Sequence, residues 1–131
     1  MALNPYSKEL IQGFYSLARN LYICGYFKEA EKICLGLLAI GEKSTAVQLL
    51  LGAINIEQNN FSIAANYFRV ASQDPLFFNS SRVGILVCFI GLKEDARAIS
   101  LAEELNNDTM TFDPTLLHFF EYLKRNLYKQ K

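Results

Sequence analysis

The sequence predicts an all-α protein, three helix–turn–helix repeats wound into a superhelix and closed by a C-terminal helix. Two observations carry this expectation. The first is a repeat with a period near 34 residues. Ala30, Ala64 and Ala96 fall 34 and 32 residues apart, and the same intervals separate Ala18, Gly52 and Gly84, and again Gly25, Asn59 and Gly91. Small residues at the first two sets let helix backbones approach, and Gly or Asn at the third tolerates the positive φ of a tight turn. A period of this length corresponds to one helix–turn–helix unit. The second observation is apolar residues recurring at helical spacing, as in Leu10, Phe14, Leu17, Ala18 and Leu21.

The elements follow in order. Asn4-Pro5 reads as a helix start, an N-cap followed by proline at the first helical position. The first helix runs to about Cys24, with Leu10, Phe14, Leu17, Ala18 and Leu21 as its packed stripe. The second spans Phe27 to Ile40 and stops at Gly41, a C-terminal cap. The third runs from Ser44 to Gln58 and the fourth from Asn60 to Gln73. Pro75 opens the connection to a fifth helix over Leu76 to Ile90, and the sixth covers Lys93 to Leu105. Asn106-Asn107-Asp108-Thr109 reads as a loop. Asp113-Pro114 repeats the start signal, and a seventh helix follows over about 114–129, with Leu116, Phe119, Phe120, Leu123 and Leu127 as its apolar stripe. Lys124, Arg125, Lys129 and Lys131 suit the negative end of its dipole. A terminal helix of this kind covers the apolar face that the last repeat would leave in water.

Composition narrows the function. A chain of 131 residues is one domain, and 51% apolar residues suffice for a core. Thirteen basic and thirteen acidic side chains cancel, which argues against a nucleic-acid partner held by phosphate contacts. There is no run of 18 apolar residues, so no membrane insertion is expected. The N-terminus lacks a basic stretch followed by an apolar one, so the expected compartment is the cytoplasm. Cys24, Cys34 and Cys88 are odd in number and share no metal-ligand spacing, so free thiols and no metal are expected. His118, the only histidine, has no Cys or Ser placed beside it by sequence. Glu94-Asp95 and Glu103-Glu104 are adjacent on helices and point different ways. No phosphate loop or dinucleotide fingerprint appears. The expectation is a protein with no catalytic residues and no cofactor.

Several strings resemble the tetratricopeptide (TPR) repeat. Leu17-Ala18, Leu51-Gly52 and Val83-Gly84 are similar to its Leu-Gly pair. Gly25-Tyr26-Phe27, Asn59-Asn60-Phe61 and Gly91-Leu92-Lys93 are similar to its turn and following aromatic, and Asp74-Pro75 to its closing dipeptide. The resemblance covers residues 11 to 106. It is strongest in the second repeat and most degenerate in the third, where Lys93 replaces the aromatic. No Trp opens any repeat; Phe14, Gln48 and Ser80 stand there. It implies a TPR-like superhelix with repeats at about 11–43, 44–75 and 76–106.

In a TPR stack the first helix of each pair lines a concave groove. The resemblance therefore implies a lining of Gln12, Tyr15, Arg19 and Tyr22 in the first repeat and Ala46, Leu49, Ala53 and Ile56 in the second. In the third it implies Phe78, Ser81, Arg82, Ile85, Cys88 and Phe89. Residues 12, 15, 19 and 22 share one helical face, beside the packed stripe. The third helix is apolar almost all round, through Leu49, Leu50, Leu51, Ala53, Ile54 and Ile56. Such a helix is either deeply buried or holds a ligand. Only Arg19 and Arg82 are cationic in this lining, which argues against a clamp for the acidic C-terminus of a heat-shock protein.

The whole chain also resembles the TPR chaperones of bacterial type III secretion. Phe14-Tyr15-Ser16-Leu17-Ala18, Gly25-Tyr26-Phe27-Lys28-Glu29-Ala30 and Leu101-Ala102-Glu103-Glu104-Leu105 carry that likeness. It implies a hydrophobic secreted client, masked in the groove before export. One branch of that family chaperones pore-forming translocators; the other chaperones the needle subunit, usually beside a small helical co-chaperone. The repeat strings favour the first branch and the short length the second. A generic scaffold joining two cytosolic proteins, or an enzyme accessory subunit, are the rival classes.

Overall fold

The computed structural model describes residues 7–41, 44–107 and Arg125. The expected start at Asn4-Pro5, the second half of the loop expected over Asn106-Asn107-Asp108-Thr109, the helix at 114–129 and His118 lie outside the described residues; Asn106 and Asn107 instead close the sixth helix, since asparagine disfavours but does not forbid a helical turn. Six α-helices make up the described chain: α1 (Lys8–Ile23), α2 (Phe27–Ala39), α3 (Thr45–Glu57), α4 (Phe61–Ala71), α5 (Phe78–Gly91) and α6 (Asp95–Asn107). No strand occurs among the described residues. The first helix begins at Lys8, capped by Ser7, whose hydroxyl accepts from the Leu10 amide at 3.1 Å. Each helix packs on the next, and α3 also touches α1 and α5, so α1, α3 and α5 form one layer and α2, α4 and α6 the other.

One turn design joins the helices of each pair. The Gly25 amide donates to the Tyr22 carbonyl and the Tyr26 amide to the Leu21 carbonyl, at 3.0 and 2.8 Å. The bonds recur from Asn59 to Ile56 and Asn60 to Asn55, and from Lys93 to Ile90 and Glu94 to Phe89. Gly25, Asn59 and Lys93 carry φ of 88°, 62° and 60°. This is the paired closure that satisfies a helix's last carbonyls through one left-handed residue.

The turn corrects the register expected for the third repeat. Lys93, not Gly91, follows Gly25 and Asn59, so the interval is 34 residues twice. Ala98, fully buried, is then the counterpart of Ala30 and Ala64, whereas Ala96 is exposed. Gly91 ends α5 for another reason: a methyl group there would lie 2.6 Å from the Phe61 ring. Gly84 lies two residues out of step with Ala18 and Gly52, where Leu86 holds the equivalent place. A bulky residue in a sparsely populated conformation costs roughly 1–2 kcal/mol. Lys93→Gly is therefore expected to raise stability by about 0.5–1 kcal/mol, the gain being reduced by glycine's freedom in the unfolded chain. A urea titration checks it, and a lowered midpoint would show that the Lys93 side chain has a compensating role.

The stripe expected to pack α1 is only partly used. Ala18 is buried, but Leu10, Phe14 and Leu17 are 44%, 41% and 47% exposed. The inward face is instead Ile11, Tyr15, Ala18, Leu21 and Tyr22, packed with Cys34, Leu37, Val47, Leu50 and Ile54. As the first helix of the stack, α1 meets α2 and α3 but has no helix beyond it among the described residues, so one apolar flank stays open.

The centre of the stack is a ring held between two glycines. Phe68 of α4 faces both Gly52 of α3 and Gly84 of α5, and a methyl group on either would lie 2.6 Å from its ring. Both glycines sit inside helices, where glycine costs about 1 kcal/mol against alanine. The space they leave lets the aromatic ring reach into the junction of three helices. Buried Asn55 is satisfied by donating to the Leu51 carbonyl at 2.8 Å.

Candidate functional site

The groove floor is built by α1 and α3, and α5 is aligned against them by a polar contact. The Thr45 hydroxyl, at the start of α3, donates to Asp74 Oδ2 at 3.0 Å, and Asp74 Oδ1 accepts from the Leu76 amide at 3.1 Å. Pro75 opens a single 3-10 turn, Pro75–Phe77, before α5 begins. This turn brings Phe77 to the α1–α3 groove.

A hollow of about 360 Å³ results, lined by Tyr15, Arg19, Tyr22, Ile23, Ala46, Leu49, Leu50 and Phe77. Five sequence-predicted lining residues meet here: Tyr15, Arg19, Tyr22, Ala46 and Leu49. A second hollow, of about 380 Å³, shares Tyr15 and adds Lys8, Ile11, Gln12, Ser44 and Val47. The Tyr22 ring meets the Phe27 ring edge-on at 5.7 Å, which fixes that wall. Burial and the nearby Glu57 carboxylate raise the Tyr22 hydroxyl pKa, so it stays a neutral donor at physiological pH.

The other predicted residues divide. Phe78 is 44% exposed, and the Arg82 guanidinium stacks over its ring at 4.8 Å. Ala53, Ile56 and Ile85 are half-buried. Ile56 and Ile85, with Leu49, pack against Ala64, Ala65, Phe68 and Cys88, so these three also serve the core. Phe89 turns towards α6: it packs with Leu86, Ala98, Ala102 and Leu105, and Arg97 stands 6.0 Å from its ring centre. Ser81 and Cys88 are fully buried and cannot line a groove. The apolar surround of α3 is thus shared: Leu50, Leu51 and Ile54 are core, while Leu49, Ala53 and Ile56 keep an open edge.

Of the residues lining the two hollows, sequence reasoning missed Lys8, Ile11, Ile23, Ser44, Val47, Leu50 and Phe77. Lys8 shares a helical face with Gln12, Tyr15 and Arg19, and that spacing is a usable signal. Phe77 depends on the 3-10 turn, which Asp74-Pro75 announces without giving its direction.

The thiols are free: Cys24 is exposed, and Cys34 and Cys88 are buried. Burial pushes both buried thiols up to about 11, with Glu31 adding to the rise at Cys34 and Arg69 opposing it at Cys88. They remain neutral apolar packing groups at physiological pH. Among the described residues no group of three or more His, Cys, Asp or Glu could hold a metal ion, and no helix is long and apolar enough to cross a membrane.

A two-layer stack of helix pairs, joined by one recurring turn, with hollows of about 360 and 380 Å³ where α1 meets α3, defines the class: an all-helical TPR-like fold. Within that class the chain has the fold of the type III secretion translocator chaperones. The Yersinia enterocolitica chaperone SycD, in complex with a peptide of the translocator YopD, superposes with a TM-score of 0.82 at 19% identity, over 97% of this chain and 98% of that one. A second SycD structure gives 0.77 at 20% identity, over 96% and 86%. PcrH, in complex with the chaperone-binding region of PopD, gives 0.77 at 17% identity, over 98% and 96%. No protein-family model and no curated protein sequence matches the chain.

Proposed function

We propose that the protein is a type III secretion chaperone, acting in the bacterial cytoplasm, that masks an apolar segment of a secreted translocator in its concave groove. The observation that carries this reading is the hollow of Tyr15, Arg19, Tyr22, Ala46, Leu49 and Phe77 on the layer where this fold leaves its helices open. Structural neighbours that hold translocator peptides support it, and favour a translocator over a needle subunit as client. The lining offers aromatic and aliphatic anchors in a concave surface, which suits an extended or helical peptide. No titratable pair in the hollow has the geometry of an acid and base, so the function is binding without chemistry. Masking follows from burial: an apolar segment held here cannot insert in a membrane or associate with copies of itself. Release follows from competition by the export machinery.

Deleting the gene in its native bacterium is expected to lower the cellular level and the export of one apolar secreted protein. Quantitative mass spectrometry of cells and medium reads both, and restoring the gene should restore both. Unchanged levels and export of every secreted apolar protein would overturn the reading.

A further inference from the structure

We propose that the groove selects an acidic apolar segment, a stretch whose aliphatic anchors are interspersed with carboxylates placed to meet Lys8 and Arg19. The inference rests on the reading of the groove as the client site and names the chemistry of its ligand.

The charge distribution carries it. The chain is neutral, with thirteen basic and thirteen acidic side chains. Its concave lining is not. Among the described residues, the two hollows that meet at Tyr15 have Lys8 and Arg19 as their only charged lining residues, with no carboxylate. Further along the same layer, Arg82 stacks on Phe78. Glu57 acts on the Tyr22 hydroxyl from the last residue of α3, outside the lining of the hollow. Among the described residues neither Lys8 nor Arg19 has an ion-pair partner.

The charged groups have one sense. Arg19 and Lys8 can only donate hydrogen bonds, and the Tyr15 and Tyr22 hydroxyls can donate as well. A surface rich in donors, floored by Ala46, Leu49, Leu50 and Phe77, is complementary to a ligand that brings acceptors between apolar side chains. A carboxylate is the acceptor that peptides supply with charge, and charge pairing at the rim of an apolar contact sets register and partner choice.

Spacing separates this from a clamp for a chain terminus. Lys8 and Arg19 are eleven residues apart on one helical face, or roughly 16 Å along the axis. They cannot converge on one terminal carboxylate. They match two acidic side chains about four or six residues apart in an extended peptide, roughly 13 or 20 Å at about 3.3 Å per residue, an even spacing that sets both on one face within reach of the long Lys and Arg side chains.

The test uses three short fluorescein-labelled peptides with the same Leu and Ala anchors. Each has two variable positions about four or six residues apart, an even spacing that sets both on one face of an extended chain, filled with Asp, Asn or Lys. Fluorescence anisotropy is expected to show the Asp peptide binding about tenfold more tightly than the Asn peptide, with the Lys peptide weakest and the difference shrinking in high salt. In the double variant Lys8→Gln/Arg19→Gln the Asp-to-Asn ratio should fall to about one. Both residues are exposed, so the fold tolerates the change. Equal affinity of the Asp and Asn peptides, or a preference that survives the double variant, would overturn the proposal. Ala46→Glu separates it from the underlying reading. If Ala46→Glu removes binding of all three peptides while Asp and Asn bind equally, the groove stands and its acidic preference falls. If Ala46→Glu leaves all three bound, the groove reading itself is wrong. A wild-type protein that holds none of the three overturns both.

Discussion

Gly84→Ala is expected to destabilise the protein, and to stabilise it once Phe68 is made smaller. Alanine inside a helix is worth about 1 kcal/mol over glycine, so the local preference alone predicts a gain. The ring of Phe68 reverses it, because the added methyl would stand 2.6 Å from ring atoms of Phe68. The ring cannot step aside towards α3, where a methyl group on Gly52 would meet it at the same distance. Overpacking of this kind costs about 1–3 kcal/mol, which exceeds the helix gain. Phe68→Ala removes the wedge at the junction of α3, α4 and α5 and is expected to cost about 3–5 kcal/mol. Phe68→Leu is the milder background should the alanine variant unfold. Combining Gly84→Ala with the smaller residue should then raise the melting temperature. Circular dichroism melts of the four proteins complete the cycle. Additive effects would mean that Phe68 and Gly84 do not meet, and that the centre of the stack is built differently.

This wedge also shows where sequence reasoning reached and where it stopped. The period was legible because the turn demands a left-handed residue at one position per repeat, and Gly25 and Asn59 satisfy it openly. It slipped in the third repeat because Lys93 adopts that conformation without being a residue that favours it. Gly91, nearby and conformationally free, drew the register two residues early, although its lack of a side chain serves Phe61. Helix faces were legible from spacing, but spacing cannot say which of two apolar flanks of α1 is covered. Leu10, Phe14 and Leu17 form as good a stripe as Ile11, Tyr15 and Ala18, and only the position of α3 decides between them. The groove was half legible for the same reason. Tyr15, Arg19, Tyr22, Ala46 and Leu49 converge, whereas Phe89 belongs with α6 and Leu49, Ile56 and Ile85 divide their area between groove and core.

That division determines which substitution tests the client site. Leu49→Glu places a carboxylate against the Ala64, Phe68 and Cys88 cluster, so lost binding would be mixed with lost stability. Ala46→Glu and Phe78→Glu are cleaner. Ala46 lines the hollow between α1 and α3, and Phe78 stands 44% exposed beside Arg82. In the free protein each new carboxylate can reach water, so the melting temperature should fall by only a few degrees. A docked apolar segment would have to bury it, and pairing with the nearby Arg19 or Arg82 offsets only part of a desolvation cost of several kcal/mol, which leaves a loss of affinity of about tenfold or more. Lys32→Glu, on the exposed side of α2, reverses a charge away from the groove and should change neither quantity. The measurement is co-expression of each variant with the secreted client, recovery of the complex by pull-down, and a thermal melt of each variant alone. Variants that melt normally and still recover the client would place the client elsewhere on the surface. Variants that fail to fold would show that Ala46 and Phe78 support the stack itself, and that the hollow at Ala46 is a packing feature of the α1–α3 interface.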